Sequence, residues 1–494
     1  MMRTLAFFCI CFFTTTLSAQ KANNKNNQLK FKINGVKDTI VHLANYYGNK
    51  LYYADTARAD KNGNIVFNKK QHPGGVYAVV VPGNKYFEII IDKEDIEIES
   101  DTTDLPGKII IKKSENNKLF YEYIRFINQK RNEAEPIRAK LKEAENDPER
   151  AASLREQLQK IDKEVKTYQQ QLIKNNPDKL VAKIIKISMD VEIPEAPKNA
   201  DGSPVDSLFA YKYNKAHYFD NIDLTDDRLV RSPFFHNRIE NYYKNMIAQI
   251  PDTFIVEIDR TVPLFESSKE QFKYVVHHLT YNTETSKVMC MDAAFVHIVN
   301  KYYKTGKVWW LEPDKLKKIT DRATELEPIL CGVKVHPLSM LDSTNTRWIR
   351  LYDIKAEYIA LIFWDPDCGH CKKEMPKFAG LYNKFKGKGF EVYAVSSDHD
   401  EKWRKYIREN NLNWINVGIP ADYYSKQEKA IEQIQKGNTD LKSLNYRTTF
   451  DIYSTPKVFL LDKNKKIIAK QIEAEQMEKL LEFYYNKEEK KTEK

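Results

Sequence analysis

The chain has 494 residues, with 79 Lys and Arg against 69 Asp and Glu for a formal charge of +10, and 42% of its residues are hydrophobic. A chain this long is expected to hold roughly two to four domains, and its charges are interleaved almost everywhere, which leaves no basic stripe for nucleic acid. Six cysteines in such a length exclude a disulfide scaffold, so the core must come from ordinary apolar burial.

Residues 1–20 read as an export signal. Arg3 gives a positive start, Leu5 to Phe13 is apolar, and Leu17-Ser18-Ala19-Gln20 supplies small residues for cleavage. Cys9 and Cys11 lie inside the apolar run without the small residues that precede a lipoprotein cysteine, so cleavage without lipidation is expected. No later stretch approaches the ~20 apolar residues of a transmembrane helix. The mature chain is therefore expected to be soluble in the periplasm, and an uncleaved signal would tie it to a membrane. Removal of the signal leaves Cys290, Cys331, Cys368 and Cys371.

Residues 21–112 form the first expected domain, an antiparallel β-sandwich or partial barrel. Leu29-Phe31-Ile33, Ile89-Ile91 and Ile96-Ile98 alternate as half-buried strands do, and Gly, Pro and Asn clusters separate the runs. Asn62-Gly63 before Ile65-Val66-Phe67 predicts a hairpin. Tyr46, Tyr47, Tyr52 and Tyr53 either pack sheet faces or make a ligand face.

From 113 to 330 the composition is helical. Ser114-Glu115 opens a helix, Asp147-Pro148 marks a turn, and Leu154, Leu158, Ile161, Val165 and Leu172 form a short heptad-like stripe. The result is a helical hairpin over 115–175, either packed on its own domain or available for a homodimer. A helical domain over 177–330 follows. Its histidines His217, His236, His277, His278 and His297 carry no H-E-x-x-H spacing and read as surface or satisfied core groups, so no metal site is expected. Cys290 and Cys331 stay open between a disulfide with each other, buried free thiols, and a four-sulfur zinc site that includes the other two cysteines.

The α/β domain expected over 331–486 is organised around Phe363-Trp364-Asp365-Pro366-Asp367-Cys368-Gly369-His370-Cys371. Tyr358 to Phe363 is a continuous apolar run, as in a strand buried on both faces. Met375, Phe378, Ala379, Leu381, Tyr382 and Phe385 then fit one face of a helix. Cys368 thus falls at a helix N-terminus, where free N–H groups and the positive dipole end favour a thiolate. Two cysteines spaced this way can close into a disulfide. Phe390 to Ser396 predicts a second buried strand, 400–410 a helix, and 414–417 a short strand. Residues 421–451 look like a helical insertion. Val458 to Leu461 and Ile467 to Ile472 close the sheet, a last helix covers 473–485, and the charged tail 487–494 is expected to be disordered.

The order of these elements resembles thioredoxin, and more closely the exported TlpA/ResA-like thiol–disulfide oxidoreductases. Trp364 precedes the C-x-x-C, Pro376 lies five residues after Cys371, and Ser454-Thr455-Pro456 followed by Lys457-Val458-Phe459-Leu460-Leu461 looks like the family's cis-proline and core strand. The likeness covers 331–485, about a third of the chain, and the β-rich and helical regions also resemble segments that such proteins carry upstream. One departure is Ile362, which stands where thioredoxin has a buried acid. The resemblance implies that Glu374, three residues after the second cysteine, handles protons for Cys371; a solvated first-turn carboxylate is the plainer alternative.

The chemistry implied is thiol–disulfide exchange. Cys368 attacks, Cys371 resolves, Gly369 and His370 tune the pair, and Thr455 with Pro456 receives an extended substrate. No cofactor and no metal are needed. The expected partners are disulfide-containing exported proteins and a membrane electron-transfer protein. Glu374 favours a reductase, whereas Gly369-His370 pulls toward an oxidase or isomerase. A peroxidase would want Thr three residues before its reactive cysteine, and that position is Asp365. A binding or assembly protein with the redox domain as sensor is the remaining class.

Overall fold

The computed structural model describes residues 27–67 and 71–492, so the expected signal at 1–20 lies outside the described residues. The chain divides into two compact units: one runs to Asp190 and includes Arg228–His236, and the other holds Val191–Asp227 and everything from Asn237. The boundary expected near 112 falls within the first unit and that near 330 within the second.

In the first unit, β1 (Leu29–Asn34), β2 (Ile40–Tyr47), β3 (Lys50–Arg58), β4 (Asn64–Phe67), β5 (Gly75–Val81), β6 (Lys85–Ile91), β7 (Ile96–Asp101) and β8 (Ile110–Lys113) form two four-stranded sheets, ordered β4-β1-β7-β8 and β3-β2-β5-β6. Alternation puts Leu29, Phe31 and Ile33 inward, and the Phe31 ring meets Phe87 of the other sheet at 6.1 Å. This is a sandwich, with two corrections to the expectation. It is not purely antiparallel, because β1 and β7 pair in parallel; the chain between them passes through the other sheet before returning. Nor does Asn62-Gly63 close a hairpin: β3 pairs with β2 while β4 pairs with β1, so the turn carries the chain from sheet to sheet. Gly63 has φ +81°, and a Cβ there would lie 2.4 Å from the Ile33 carbonyl oxygen. Its own carbonyl accepts the Ile33 N–H at 2.9 Å. Tyr46 is buried and donates to Glu88 at 2.6 Å, whereas Tyr52 and Tyr53 are exposed.

Ser114 caps α1 (Glu115–Glu143) by accepting the Asn117 N–H, and Asp147 with Pro148 starts α2 (Pro148–Asn175). The two helices pack as the expected hairpin around Ala144, Ala151 and Leu154, with Phe126 stacked on Tyr168 at 4.1 Å. The base of α1 docks on its own sheet. Asn117 donates to the Ile90 carbonyl and accepts the Ile90 N–H, and Tyr121 donates to the Glu88 carbonyl. A short α3 (Leu180–Ser188) follows.

The second unit contains α4 (Phe209–His217), α5 (Pro251–Thr261), α6 (Lys269–Glu284), α7 (Asp292–Ile298) and α8 (Pro313–Leu326), packed through buried Phe254, Phe295, Tyr302 and Tyr303. Three of its histidines pair with carboxylates here: His217 with Asp220, His278 with Glu240, His297 with Asp259. Beyond them lies a seven-stranded sheet of β9 (Ser339–Asp342), β10 (Trp348–Arg350), β11 (Tyr358–Trp364), β12 (Phe390–Ser396), β13 (Ile415–Gly418), β14 (Lys457–Asp462) and β15 (Ile467–Lys470), ordered β10-β9-β13-β12-β11-β14-β15. β11, β12 and β13 are parallel and β14 and β15 antiparallel.

Every residue of β11 is buried, as its apolar run requires. Ala360, Ile362 and Trp364 face α9 (Gly369–Phe385), α10 (Glu401–Glu409) and α12 (Ala474–Thr492) through Met375, Phe378, Trp403, Met477 and Leu481. Phe363 on the opposite face packs against Phe450 at 4.9 Å and Tyr446 at 5.7 Å. Those two rings come from the inserted segment around α11 (Gln427–Gln435). The last helix continues to Thr492, so residues 487–492 are helical backbone where disorder was expected. No described helix is long and apolar enough to cross a membrane.

Candidate dithiol site

The site sits where β11 hands over to α9. Asp365 turns the chain by accepting the Cys368 N–H at 3.2 Å, and Cys368 then becomes the helix N-cap, with its carbonyl taking the Lys372 N–H at 3.0 Å. The Cys368 sulfur does the work that a Ser or Asp oxygen does at other N-caps. It accepts the Cys371 N–H at 3.4 Å and thereby satisfies one of the free donors of the first turn. Across the groove, the Thr455–Pro456 bond is cis, and the Thr455 carbonyl accepts the Cys368 S–H at 3.2 Å.

The two thiols differ in environment. Cys368 is half-buried. Burial pushes its thiol up, but the Cys371 N–H, the Thr455 side chain, the Cys371 thiol and the His370 N–H together outweigh that, and the group lies below its ordinary value. Each of these donors favours the anion. Cys371 is fully buried in the apolar cluster with Met375 and Phe378. Burial, reinforced by the adjacent Cys368 sulfur, pushes it up to about 12 against weaker help from the Asp365 backbone and Thr455. One sulfur is thus the more readily ionised and the reachable one, the other neutral and enclosed.

The remaining predicted residues divide into two groups. His370, Glu374, Thr455 and Pro456 line one cleft of about 480 Å³ beside the sulfurs. The His370 imidazole is exposed, and its contribution to Cys368 comes through its backbone N–H. Glu374 is mostly buried, with one oxygen on Lys377 at 2.8 Å and the other accepting the Ala474 N–H at 3.3 Å, so it also caps the start of α12. Trp364 lies outside the cleft, 1% exposed, its ring packed against Tyr406 at 5.3 Å. Gly369 is the first residue of the helix.

Several neighbours were not anticipated. Arg322 of α8 reaches the cleft and grips Asp451 with both guanidinium nitrogens, Nη2 to Oδ2 at 3.1 Å. Lys457, directly after Pro456, donates to the Asp451 carbonyl at 2.6 Å and to its carboxylate at 3.1 Å. Burial alone would raise the Asp451 carboxyl, and these two cations hold it below its ordinary value. On the other flank, the carboxylates of Asp365, Asp367 and Asp398 lie within 4.8 Å of one another, and Lys402 pairs with Asp367. Burial, with Asp365, Asp400 and Asp367 adding to it, pushes Asp398 up. Cys290 and Cys331 form a disulfide with Cα atoms 5.8 Å apart, which settles their three alternatives. Nearby, buried Lys470 pairs with Asp292.

A thioredoxin-like sheet with a C-x-x-C at the helix N-terminus defines a thiol–disulfide oxidoreductase. Comparison with known proteins agrees. Residues 332–470 match the AhpC/TSA family, and residues 150–325 and 28–120 match two domains of unknown function, DUF5106 and DUF4369. The chain is 31% identical over 155 residues to the thiol-disulfide oxidoreductase ResA of Bacillus thuringiensis subsp. konkukian, covering 31% of this chain and 76% of that protein. It is 27% identical over 150 residues to ResA of Bacillus subtilis, covering 30% and 72%. A solved domain of a possible thiol-disulfide isomerase from Cytophaga hutchinsonii is 37% identical, with 33% of this chain and 99% of that one covered at a TM-score of 0.27. The chain belongs to the ResA/TlpA-like thiol–disulfide oxidoreductases of the thioredoxin superfamily.

Proposed function

We propose that the protein is an exported disulfide reductase acting through Cys368 and Cys371. The observation that carries this reading is the opposition of the two thiols, one half-buried and lowered, the other enclosed and pushed up to about 12. The Cys368 thiolate attacks one sulfur of a substrate disulfide, forms a mixed disulfide, and expels the other sulfur as a thiolate. Cys371 then loses its proton, attacks the Cys368 sulfur and expels the second substrate thiolate. Two electrons pass to the substrate, and the Cys368–Cys371 disulfide remains. Glu374 at the cleft wall is the proton acceptor in this scheme, and Pro456, with no N–H, leaves the sulfurs free of a competing donor on that side. Thr455 presents backbone to the substrate. Trp364 and Gly369 shape the turn.

The substrates in this reading are exported proteins with disulfides, cytochrome precursors among them, and a membrane electron-transfer protein restores the dithiol. The signal-like residues 1–20 support a periplasmic location. The Gly369-His370 dipeptide supports the competing reading, an oxidase or isomerase. Equilibration of the mature protein against glutathione and dithiothreitol buffers separates them. A potential near or below thioredoxin's, about −270 mV, is expected for the reductase, and one above that of protein disulfide isomerase, about −180 mV, overturns the direction. A binding or assembly role would survive replacement of both cysteines by serine; the proposed role does not.

A further inference from the structure

The cleft beside the dithiol has a wall that a thioredoxin fold does not supply. Arg322 comes from α8, in the helical region, and reaches the loop that precedes Pro456. One carboxylate, Asp451, holds both Arg322 and Lys457, so a helix of the middle region is tied to the residue that follows Pro456. The Asp451 and Lys457 side chains are 5% and 10% exposed. At the mouth of this arrangement stands Tyr453, 81% exposed, higher than any other large hydrophobic side chain among the described residues. The Arg322 guanidinium carbon lies 5.8 Å from its ring centroid. A single exposed tyrosine needs no explanation in general. This one lies in the cleft that also holds His370, is held from one side by a cation, and is two residues ahead of the carbonyl that touches the Cys368 sulfur.

Resting on the proposed attack of Cys368 on a polypeptide disulfide, we infer that Tyr453 is a specificity-determining residue. It docks a large apolar or aromatic side chain close to the substrate cysteine, and Arg322 positions its ring. The occupant is an extended polypeptide segment. A substrate cysteine joined to Cys368 lies beside Thr455, and its second neighbour, about 7 Å away on the same face of an extended chain, falls within the two-residue reach from Thr455 to Tyr453. The phenol offers a flat apolar face with few rotors to freeze, and an aromatic partner on it is worth roughly 2- to 12-fold in affinity. Small disulfides lack the second neighbour and gain nothing from it. The class of substrate favoured is therefore a protein disulfide flanked by bulky apolar residues.

The test uses the full mature chain, kept reduced, and two disulfide-linked peptide pairs that differ only in having Phe or Gly two residues to either side of the cysteine. Wild type is expected to reduce the Phe pair with kcat/KM roughly 5-fold higher, the difference lying in KM. Tyr453→Ser should abolish that preference, Tyr453→Phe should keep it, and Arg322→Lys, which cannot reproduce the two-nitrogen grip, should weaken it. In all three variants the reduction potential and the rate with bis(2-hydroxyethyl) disulfide, which is small, uncharged and aliphatic, should stay at the wild-type value, which a mere loss of structure would not allow. Equal kcat/KM for the two pairs in wild type, or an undiminished preference in Tyr453→Ser, overturns the inference and leaves the redox reading standing. Failure of wild type to reduce any of the three disulfides removes the redox reading, and the inference with it.

Discussion

Alkylation of the reduced protein tests the asymmetry of the two sulfurs directly. At pH 7 a thiol at about 12 is ionised in only ~1 molecule in 10⁵, while a thiol below the ordinary value of 9.0 is ionised in at least ~1 in 10². Iodoacetamide reacts with the thiolate, and the ~1000-fold difference in ionised fraction outweighs the roughly 15- to 30-fold greater nucleophilicity of the more basic thiolate, so Cys368 should be modified at least ~30-fold faster than Cys371, before the enclosure of Cys371 is counted. Mass spectrometry of the digested protein over a time course reads both sites, and the rate at Cys368 should rise to a plateau with a midpoint below pH 9. The same ionisations govern the potential. Below both thiol pKa values two protons accompany two electrons, and the potential falls by about 59 mV per pH unit; once Cys368 is ionised only one proton is taken up, and the slope drops to about 30 mV. The break should come below pH 9, with no second thiol break before about 12. Comparable alkylation of both cysteines at pH 7, or a Cys368 midpoint above 9, would refute the electrostatic argument.

Other perturbations probe the scaffold. Replacing Cys290 and Cys331 by serine opens a loop with a sequence separation of 41 and should lower stability by about 2–4 kcal/mol in urea melts, while the Cys368–Cys371 potential stays unchanged. Asp292→Ala strands the buried Lys470 ammonium, whose burial already lowers its pKa against the pull of Asp292, and should cost about 3–5 kcal/mol. The double change Asp292→Leu, Lys470→Met should recover most of it; a double variant as weak as the single one would count against a desolvation penalty. Gly63→Ala forces a Cβ against the Ile33 carbonyl at positive φ and should destabilise the β-sandwich by more than about 1 kcal/mol, measured by hydrogen exchange of β1 and β4.

The redox motif and its supports were readable because the physics there is local. A run of seven buried residues in β11 must be strand, and Cys368 must begin the helix because an apolar helical face follows it. β9 and β10 escaped notice, since four and three residues leave no period to detect. The Asn62-Gly63 dipeptide correctly marked a turn, but turn chemistry does not say which sheet receives the next strand, and here β4 joined β1. The parallel pairing of β1 with β7 was invisible for the same reason. Arg322 and Asp451 are separated by 129 residues, a contact that no sequence window spans. Tyr453 was within sight: it lies two residues ahead of Thr455, and its exposure is what the sequence left out.

The Cys290–Cys331 bond bears on how the chain reaches its native form. Beyond residue 20 the cysteines occur in the order 290, 331, 368, 371; the bonded pair is made of immediate neighbours in that order, and the free thiols Cys368 and Cys371 follow it. With residues 1–20 removed as proposed, a polypeptide emerging N-terminus first presents Cys290 alone, then its partner, and only afterwards the reactive pair. Each cysteine meets the right sulfur before a wrong one is available, so correct connectivity follows from the sequence of emergence. A fragment begun between 291 and 331 would instead expose Cys331 without its partner beside an attacking Cys368, and the three remaining thiols would have competing ways to pair.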